Sequence, residues 1–318
     1  MKQRPLIIDC DPGVDDALAL LIAMAFPESF NILGISTVGG NVSLERVTKN
    51  ALKICELAGR QDIPVYAGCG RPLVKPSIRT EEGIHGETGL GGSHLPEPIL
   101  KAQTQHGVDF IIDTIHKTSE PVTLVPIGPL TNIAMALVKD PRIKENIAEI
   151  VFMGGSIFGG NVPGGYAEFN IFTDPHAADV VFRSGIKITM VGLDVTHKVP
   201  LTLEGLKTVG AYQTSISQFI VDMLEPQIST EKERFGIDGM IIHDACTIAY
   251  LLKREIFKGK DYPAFVEIHS PFTMGATLVD WHNWTNQPTN LHALYDVNAD
   301  AFFEVFHEML KRYKAQGK

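Results

Sequence analysis

The stretch Leu6 to Leu20, LIIDCDPGVDDALAL, limits what this chain can fold into more than any other. The apolar run Leu6-Ile7-Ile8 ends in Asp9, Asp11 follows, then Pro12-Gly13, then Asp15-Asp16 and a second apolar run. Pro presets φ and Gly tolerates φ > 0, so the pattern reads as strand, tight turn, helix. The carboxylates of Asp9, Asp11, Asp15 and Asp16 crowd the carboxyl end of that strand and repel one another. Two readings account for them. In the first, Asp15 and Asp16 lie in the first helical turn, where each favours the dipole by roughly 0.3–1 kcal/mol, and Asp9 bonds the loop backbone; Asp11 is then left without a task. In the second, a cation lies among them, and an all-oxygen ligand set suits a hard ion such as Ca²⁺ or Mg²⁺.

At 318 residues with 44 % apolar content, the chain can bury a sizeable core, and residues 1–318 show no clear internal boundary. The net charge of −9 argues against a nucleic-acid partner. The apolar run Ala17 to Phe26 is too short to span a bilayer, so no membrane role is expected. Asp9 interrupts the apolar run after Lys2 and Arg4, unlike a signal peptide. Cys10, Cys55, Cys69 and Cys246 have no CxxC spacing, which points away from zinc and from a disulfide framework. A soluble, cytoplasmic protein is the expectation.

Strand and helix patterns then alternate. Asn31 to Val38 reads as a strand ending in Gly39-Gly40-Asn41, where backbone can approach a ligand closely. Leu44 to Ala58 carries a helical apolar stripe closed by Gly59. Pro64 to Ala67 is a short strand. Regular patterning stops from Gly68 to Pro98, a long loop of the kind that is often functional; His85 is its most reactive residue. A helix at Val108 to Lys117 and a strand at Val122 to Val125 lead to Pro126-Ile127-Gly128-Pro129-Leu130-Thr131-Asn132. Ile150 to Met153 is a strand before Gly154-Gly155, and a Gly-rich loop at Gly159 to Gly165 holds Asn161 and precedes Glu168-Phe169-Asn170. A helix from Asp174-Pro175 to Ser184 and a strand at Lys187 to Leu193 follow, with Asp194 and His197 beyond. Such alternation implies an α/β fold, with a mainly parallel sheet flanked by helices. Ligands of such sheets bind outside the carboxyl ends of the strands, which brings Asp11, Asn41, Ile127, Met153 and Asn170 to one crevice.

Pro200 to Leu224 reads as mostly helical, and Thr230 to Gly239 as a mobile segment or lid. His243-Asp244 opens the helix Ala245 to Leu252; Asp244 there is either an N-cap or a functional group. Phe265 to Ile268 and Thr277 to Trp281 are expected as late strands, an antiparallel addition at the sheet edge. Ala301 to Tyr313 is an amphipathic closing helix.

Asp9-Cys10-Asp11-Pro12-Gly13-Val14-Asp15-Asp16 resembles the DxDPxxDD signature of the nucleoside hydrolase family, inosine–uridine-preferring type. Val38-Gly39-Gly40-Asn41, His85-Gly86-Glu87, Gly128 to Asn132, Met153-Gly154-Gly155, Ala167 to Asn170 and His243-Asp244 match in the same order, over essentially the full length. The resemblance implies the Rossmann-like fold of that family and a homo-oligomer, dimer or tetramer. It also implies a bound Ca²⁺ held by Asp11, Asp16, Asp244 and the backbone carbonyl of Ile127. Asp15, Asn41, Asn161, Glu168 and Asn170 would hold the sugar hydroxyls of a ribonucleoside, and Met153 would pack on the ribose. N-glycosidic cleavage builds positive charge on the sugar, which nearby carboxylates stabilise. Asp11 is the best candidate for the general base that deprotonates the attacking water, and His243 and His85 are the two candidates to serve the departing base. Arg234 and Phe235 are possible contacts to the base, with a lean towards uridine and cytidine and room for inosine.

Two other readings compete. A haloacid-dehalogenase-like phosphatase also carries DxD after its first strand, but it has Thr or Val where this chain has Gly13, and Asp15-Asp16 are extra. A non-catalytic ribonucleoside-binding protein would keep the ribose contacts, but has no need of Asp11 and two pocket histidines.

Overall fold

The protein is described from a computed structural model covering residues 3–76, 85–162, 164–235 and 238–318; for residues 229–231 and 233–235 only the backbone is described. Its centre is an eight-stranded sheet. The strands are β1 (Arg4–Cys10), β2 (Phe30–Thr37), β3 (Val65–Ala67), β4 (Val122–Pro126), β5 (Ile147–Met153) and β6 (Ile188–Val191), joined by two strands from the end of the chain. Those are β9 (Phe257–Tyr262) and β12 (Leu291–Val297); β7 (Pro200–Leu201) pairs with β8 (Met240–Ile241), and β10 (Ala264–Val266) with β11 (Thr277–Val279), away from the main sheet. The order is β3-β2-β1-β4-β5-β6-β12-β9, parallel except for the β12–β9 edge.

The chain runs outward from β1 through β2 and β3, then crosses back to place β4 on the other side of β1. The connections on either side of that gap diverge, which opens a crevice above the carboxyl ends of β1 and β4. Asp9 of β1 is in register with Pro126 of β4. Asp11 and Ile127, the next residues to leave each strand, therefore flank the switch point.

Apolar residues on successive positions of β1 serve opposite faces of the sheet. Leu6, Ile8 and Cys10 join one core, built with α1 (Val14–Ala25), α2 (Leu44–Ala58), α9 (Ser215–Phe235), α10 (Ala245–Leu252) and α11 (Ala299–Ala315). Ile7 joins the other, built with α3 (Gly107–Lys117), α4 (Thr131–Lys139) and α6 (Pro175–Phe182). Every residue of α1 is buried, because α2, α10 and α11 all pack against it. That is why its sequence is apolar all round rather than striped. Between these elements lie α5 (Phe169–Thr173), α7 (Leu193–Thr196) and α8 (Leu203–Gly210).

Several sequence expectations are corrected. The antiparallel edge is β9 on β12, not the pair near Phe265 and Thr277, which forms its own two-stranded ribbon as β10 and β11. The strand expected to reach Leu193 stops at Val191, and Leu193 opens α7. Thr230 to Phe235, expected as a lid, continues α9. The side chains of Arg234 and Phe235, and residues 236–237, lie outside the described residues.

Asn132 explains why the Gly128-to-Asn132 segment matters although Asn132 does not line the cavity. Its Nδ2 donates to Asp9 Oδ1 at 2.7 Å and to the Thr37 carbonyl at 3.0 Å, while its Oδ1 accepts from the Cys69 N–H at 2.8 Å. One fully buried amide thus ties β1, β2 and the loop after β3 together. An Asn132→Ala variant is expected to lose about 2–4 kcal/mol of unfolding free energy, since each buried group left unpaired costs about 1–3 kcal/mol. Urea denaturation measures this; a loss under about 0.5 kcal/mol, the range of a neutral surface change, would contradict it.

Candidate active site

A cavity of about 390 Å³ opens above the switch point. Its lining includes Asp15, Asn41, His85, Ile127, Met153, Asn161, Glu168, Asn170, His243 and Asp244, all anticipated from sequence. It also includes Gly160, Val162, Phe169, His197, Met240 and Ile241. Of these, Phe169 and Gly160 fall in segments already singled out, whereas Met240 and Ile241 carry no local signal because β8 is a two-residue strand defined by its partner.

The carboxylates form the floor. Oxygens of Asp15, Asp16 and Asp244 all lie within 4.8 Å of one another, and the three residues are buried. At this separation the three carboxylates cannot all be ionised without strong mutual repulsion. Asp16 accepts from the N–H groups of Asp11 and Gly13 at 3.0 and 2.9 Å, and from Asn41 Nδ2 at 3.1 Å. The capping reading of Asp16 is therefore correct as far as it goes. Asp244, in contrast, opens α10 with no side-chain cap, so its carboxylate is free for the cluster.

Asp11 is not one of the closest trio. Its Oδ2 accepts from the Asn41 N–H at 2.7 Å, and its Oδ1 is buried without a partner. Gly40 and Gly128 pack so closely on this carboxylate that a Cβ at either would collide with it. The close approach expected of Gly39-Gly40 is thus made to Asp11 itself. Asp15 Oδ1 is also buried and unpartnered. Orphaned oxygens on Asp11 and on Asp15 of the acidic trio fit a hard cation, because among the described residues no donor offsets the cost of burying them.

Burial and mutual repulsion act on this cluster in one direction. Burial and Asp16 push Asp15 up to about 8, burial pushes Asp16 up to about 6, and Asp11 and Asp244 are displaced well upward for the same reasons. Burial raises Glu168 to about 7 against the pull of its backbone donors. Glu168 caps α5, accepting from Asn170 and Gly155 N–H at 2.9 Å each and from Ile171 at 3.2 Å. The Asn170 Nδ2 donates to the Ile127 carbonyl at 2.9 Å and to the Met153 carbonyl at 3.2 Å. Asn161 Oδ1 accepts the Phe169 N–H at 2.9 Å, which fastens the Gly-rich loop over this side of the cavity.

The two histidines are displaced the other way. Burial lowers His85 to about 4, and burial, with His197 and His85 nearby, lowers His243 to about 3. His85 Nδ1 accepts from the Val14 N–H at 3.2 Å, so a neutral His85 carries its proton on Nε2. The cavity thus has an acidic, cation-suited floor, amide and carboxylate groups able to bond hydroxyls, and neutral imidazoles at His85, beside Val14, and at His243, next to Asp244. Such a site suits a polyhydroxylated small molecule whose reaction develops positive charge.

Comparison with known proteins agrees. Residues 6–304 match the model of the inosine-uridine preferring nucleoside hydrolase family, and the chain belongs to that family of N-glycosidases. It is 43 % identical over 312 residues to the pyrimidine-specific ribonucleoside hydrolase RihA of Photobacterium profundum, covering 98 % of this chain and 99 % of that one. The RihA of Shewanella woodyi is 41 % identical, with 98 % and 99 % covered. Among solved structures, the purine-preferring ribonucleoside hydrolase from Gardnerella vaginalis superposes with a TM-score of 0.91 at 34 % identity, covering 98 % of this chain and 99 % of that one. Among the described residues no helix is long and apolar enough to cross a membrane.

The raised carboxyl values set a pH dependence. Above about pH 7 the histidines are neutral in both folded and unfolded states and drop out. Asp15, pushed up to about 8, still holds a proton when folded that it releases when unfolded, and burial displaces Asp11 and Asp244 in the same direction. The cation-free folded state therefore binds more protons than the unfolded one, and its stability falls as pH rises. Chelator-treated protein is expected to melt at a lower temperature at about pH 9 than at about pH 7, with a divalent cation restoring more at the higher pH. A melting temperature that rises over this interval without cation would contradict the assignment.

Proposed function

We propose that this protein is a Ca²⁺-dependent ribonucleoside hydrolase that releases ribose and free base, with a preference for uridine and cytidine. The observation that carries the reading is the pair of unpartnered buried oxygens, Asp11 Oδ1 and Asp15 Oδ1, beside the Asp15–Asp16–Asp244 trio at the sheet's switch point. Asp11, Asp16, Asp244 and the Ile127 carbonyl would hold the cation, whose hard charge, when bound, orients hydroxyl and water oxygens and keeps the surrounding carboxylates ionised.

The chain's own residues then divide the work. Asp15, Asn41, Asn161, Glu168 and Asn170 bind the sugar hydroxyls, and Met153 packs on the ring. Asp11 takes the proton of the attacking water. As the bond to the base lengthens, the ribose becomes oxocarbenium-like, and Asp15 and Glu168, held away from bulk water, stabilise its charge. His243 or His85 donates to the departing base. The two RihA relatives, named pyrimidine-specific, support the pyrimidine preference, while a purine-preferring relative shares the fold at lower identity.

Ribose release from uridine, cytidine, inosine and adenosine tests the reading. Release is expected to vanish on metal stripping and return with Ca²⁺, with the pyrimidine nucleosides fastest. Asp11→Asn is expected to bind uridine yet turn it over about 10²–10⁴-fold more slowly. Turnover unchanged in that variant would remove the general base assignment. Release from 2′-deoxyuridine is expected to be much slower than from uridine, because the 2′-hydroxyl is one of the groups held; equal rates would count against the sugar-side assignments.

A further inference from the structure

We infer that Thr196 is a positioning residue for departure of the base: its hydroxyl holds His243 as the tautomer that presents Nε2–H to the cavity. The inference rests on the reading of His243 as the donor to the leaving base. Neither the motifs nor the cavity lining point to Thr196, because it lies behind the imidazole.

Thr196 is the last residue of α7 and is fully buried. Its Oγ1 lies 2.8 Å from His243 Nδ1. A buried hydroxyl has one hydrogen to place, and among the described residues the acceptor that Oγ1 meets is this nitrogen. Were Nδ1 protonated, it would donate to Oγ1 and leave the hydroxyl hydrogen unpaired, at a cost typical of a buried orphan donor. The hydroxyl therefore donates, Nδ1 accepts, and the imidazole proton resides on Nε2. His85 reaches the same tautomer by another route, with its Nδ1 accepting from the Val14 N–H.

The hydroxyl is held firmly enough to aim a ring. Thr196 N–H donates to the Gly192 carbonyl at 3.1 Å, and the Leu193 N–H of the same turn donates to the Gly155 carbonyl at 3.0 Å. The Gly155 N–H in turn donates to Glu168 Oε2 at 2.9 Å. The turn that carries Thr196 is thereby built on the loop that carries a sugar-side carboxylate. Asp244, next to His243, belongs to the acidic trio. The imidazole is thus fixed from two sides relative to the sugar, which is what donation to an atom leaving that sugar requires.

The test compares Thr196→Val, Thr196→Ser and His243→Asn on uridine and on p-nitrophenyl β-D-ribofuranoside, whose phenolate leaves without a donated proton. Thr196→Val is expected to lower kcat on uridine by roughly tenfold or more, within what one hydrogen-bond donor aimed at developing negative charge is worth, with KM changed less than about twofold. It is expected to leave kcat on the p-nitrophenyl riboside intact, and Thr196→Ser is expected to restore uridine turnover. Thr196→Ala serves the same comparison if valine disturbs packing. In ¹⁵N-histidine spectra, the signals absent from His243→Asn are expected to show Nε2 protonated in the parent and a mixture of tautomers in Thr196→Val. Unchanged uridine turnover in Thr196→Val, where His243→Asn has lost it, would overturn the inference. Equal losses on both substrates would assign Thr196 to packing and overturn it also. If His243→Asn itself turns over uridine normally, the reading of His243 falls first and this inference with it.

Discussion

Everything in this protein is arranged around anions that have been taken out of water. Several carboxylates buried within a few ångströms of one another cost more than hydrogen bonds from their surroundings return. The fold meets part of that cost with fixed backbone donors. Asp16 accepts from two N–H groups, Glu168 from three, and Asp11 from the N–H of Asn41. Among the described residues, Asp9 Oδ2, Asp11 Oδ1 and Asp15 Oδ1 remain buried without a hydrogen-bond partner. The sheet contributes by topology, since the neighbouring strands β2, β1, β4 and β5 deliver Asn41, Asp15, Ile127 and Met153 to one crevice around the β1–β4 gap.

The same burial acts with opposite sign on the two chemistries of the cavity. It raises carboxyl groups and depresses imidazoles, because in both cases the charged form is the one penalised. On the proposed reading, the floor is thereby suited to positive charge, while the histidines stay neutral and serve as directional hydrogen-bond donors rather than cations. A neutral donor does not repel the positive charge that develops on a ribose during cleavage. Separation of the two roles depends on anchoring. Thr196 and the Val14 N–H each hold one imidazole, and Asn161 and Asn170 spend part of their amides on backbone partners that fasten the Gly-rich loop and the carboxyl ends of β4 and β5.

The relatives share the family and differ in the base they are named for. The division of labour within the cavity fits that pattern. Sugar-side groups come from the ends of parallel strands, where geometry is set by sheet register. His197, His243 and the β8 residues Met240 and Ile241 reach the cavity from segments outside the parallel sheet.

Much of the site was legible because its residues are local to their strands. DxDPxxDD, Gly-Gly-Asn and Glu-Phe-Asn each combine a strand end, a turn and a polar group within a few positions, and period and turn chemistry expose such units. The parallel fold followed from the same alternation. What the sequence could not convey is pairing between distant segments. β9 and β12 look like ordinary half-polar stretches until they meet at the sheet edge, and β10 with β11 resembled that edge more closely than the true one did. Whether Asp244 caps its helix or joins the acidic trio depends on where α10 packs against α1, and no local pattern carries that. Thr196 is the plainest case. By itself it is a buried threonine at the end of a short helix, and only a tertiary contact across 47 residues of chain makes its hydroxyl the partner of His243. The sequence alone determined which groups leave the strands together, because covalent spacing decides that; tertiary structure alone decided which of them face one another, because hydrogen bonds and burial act through space.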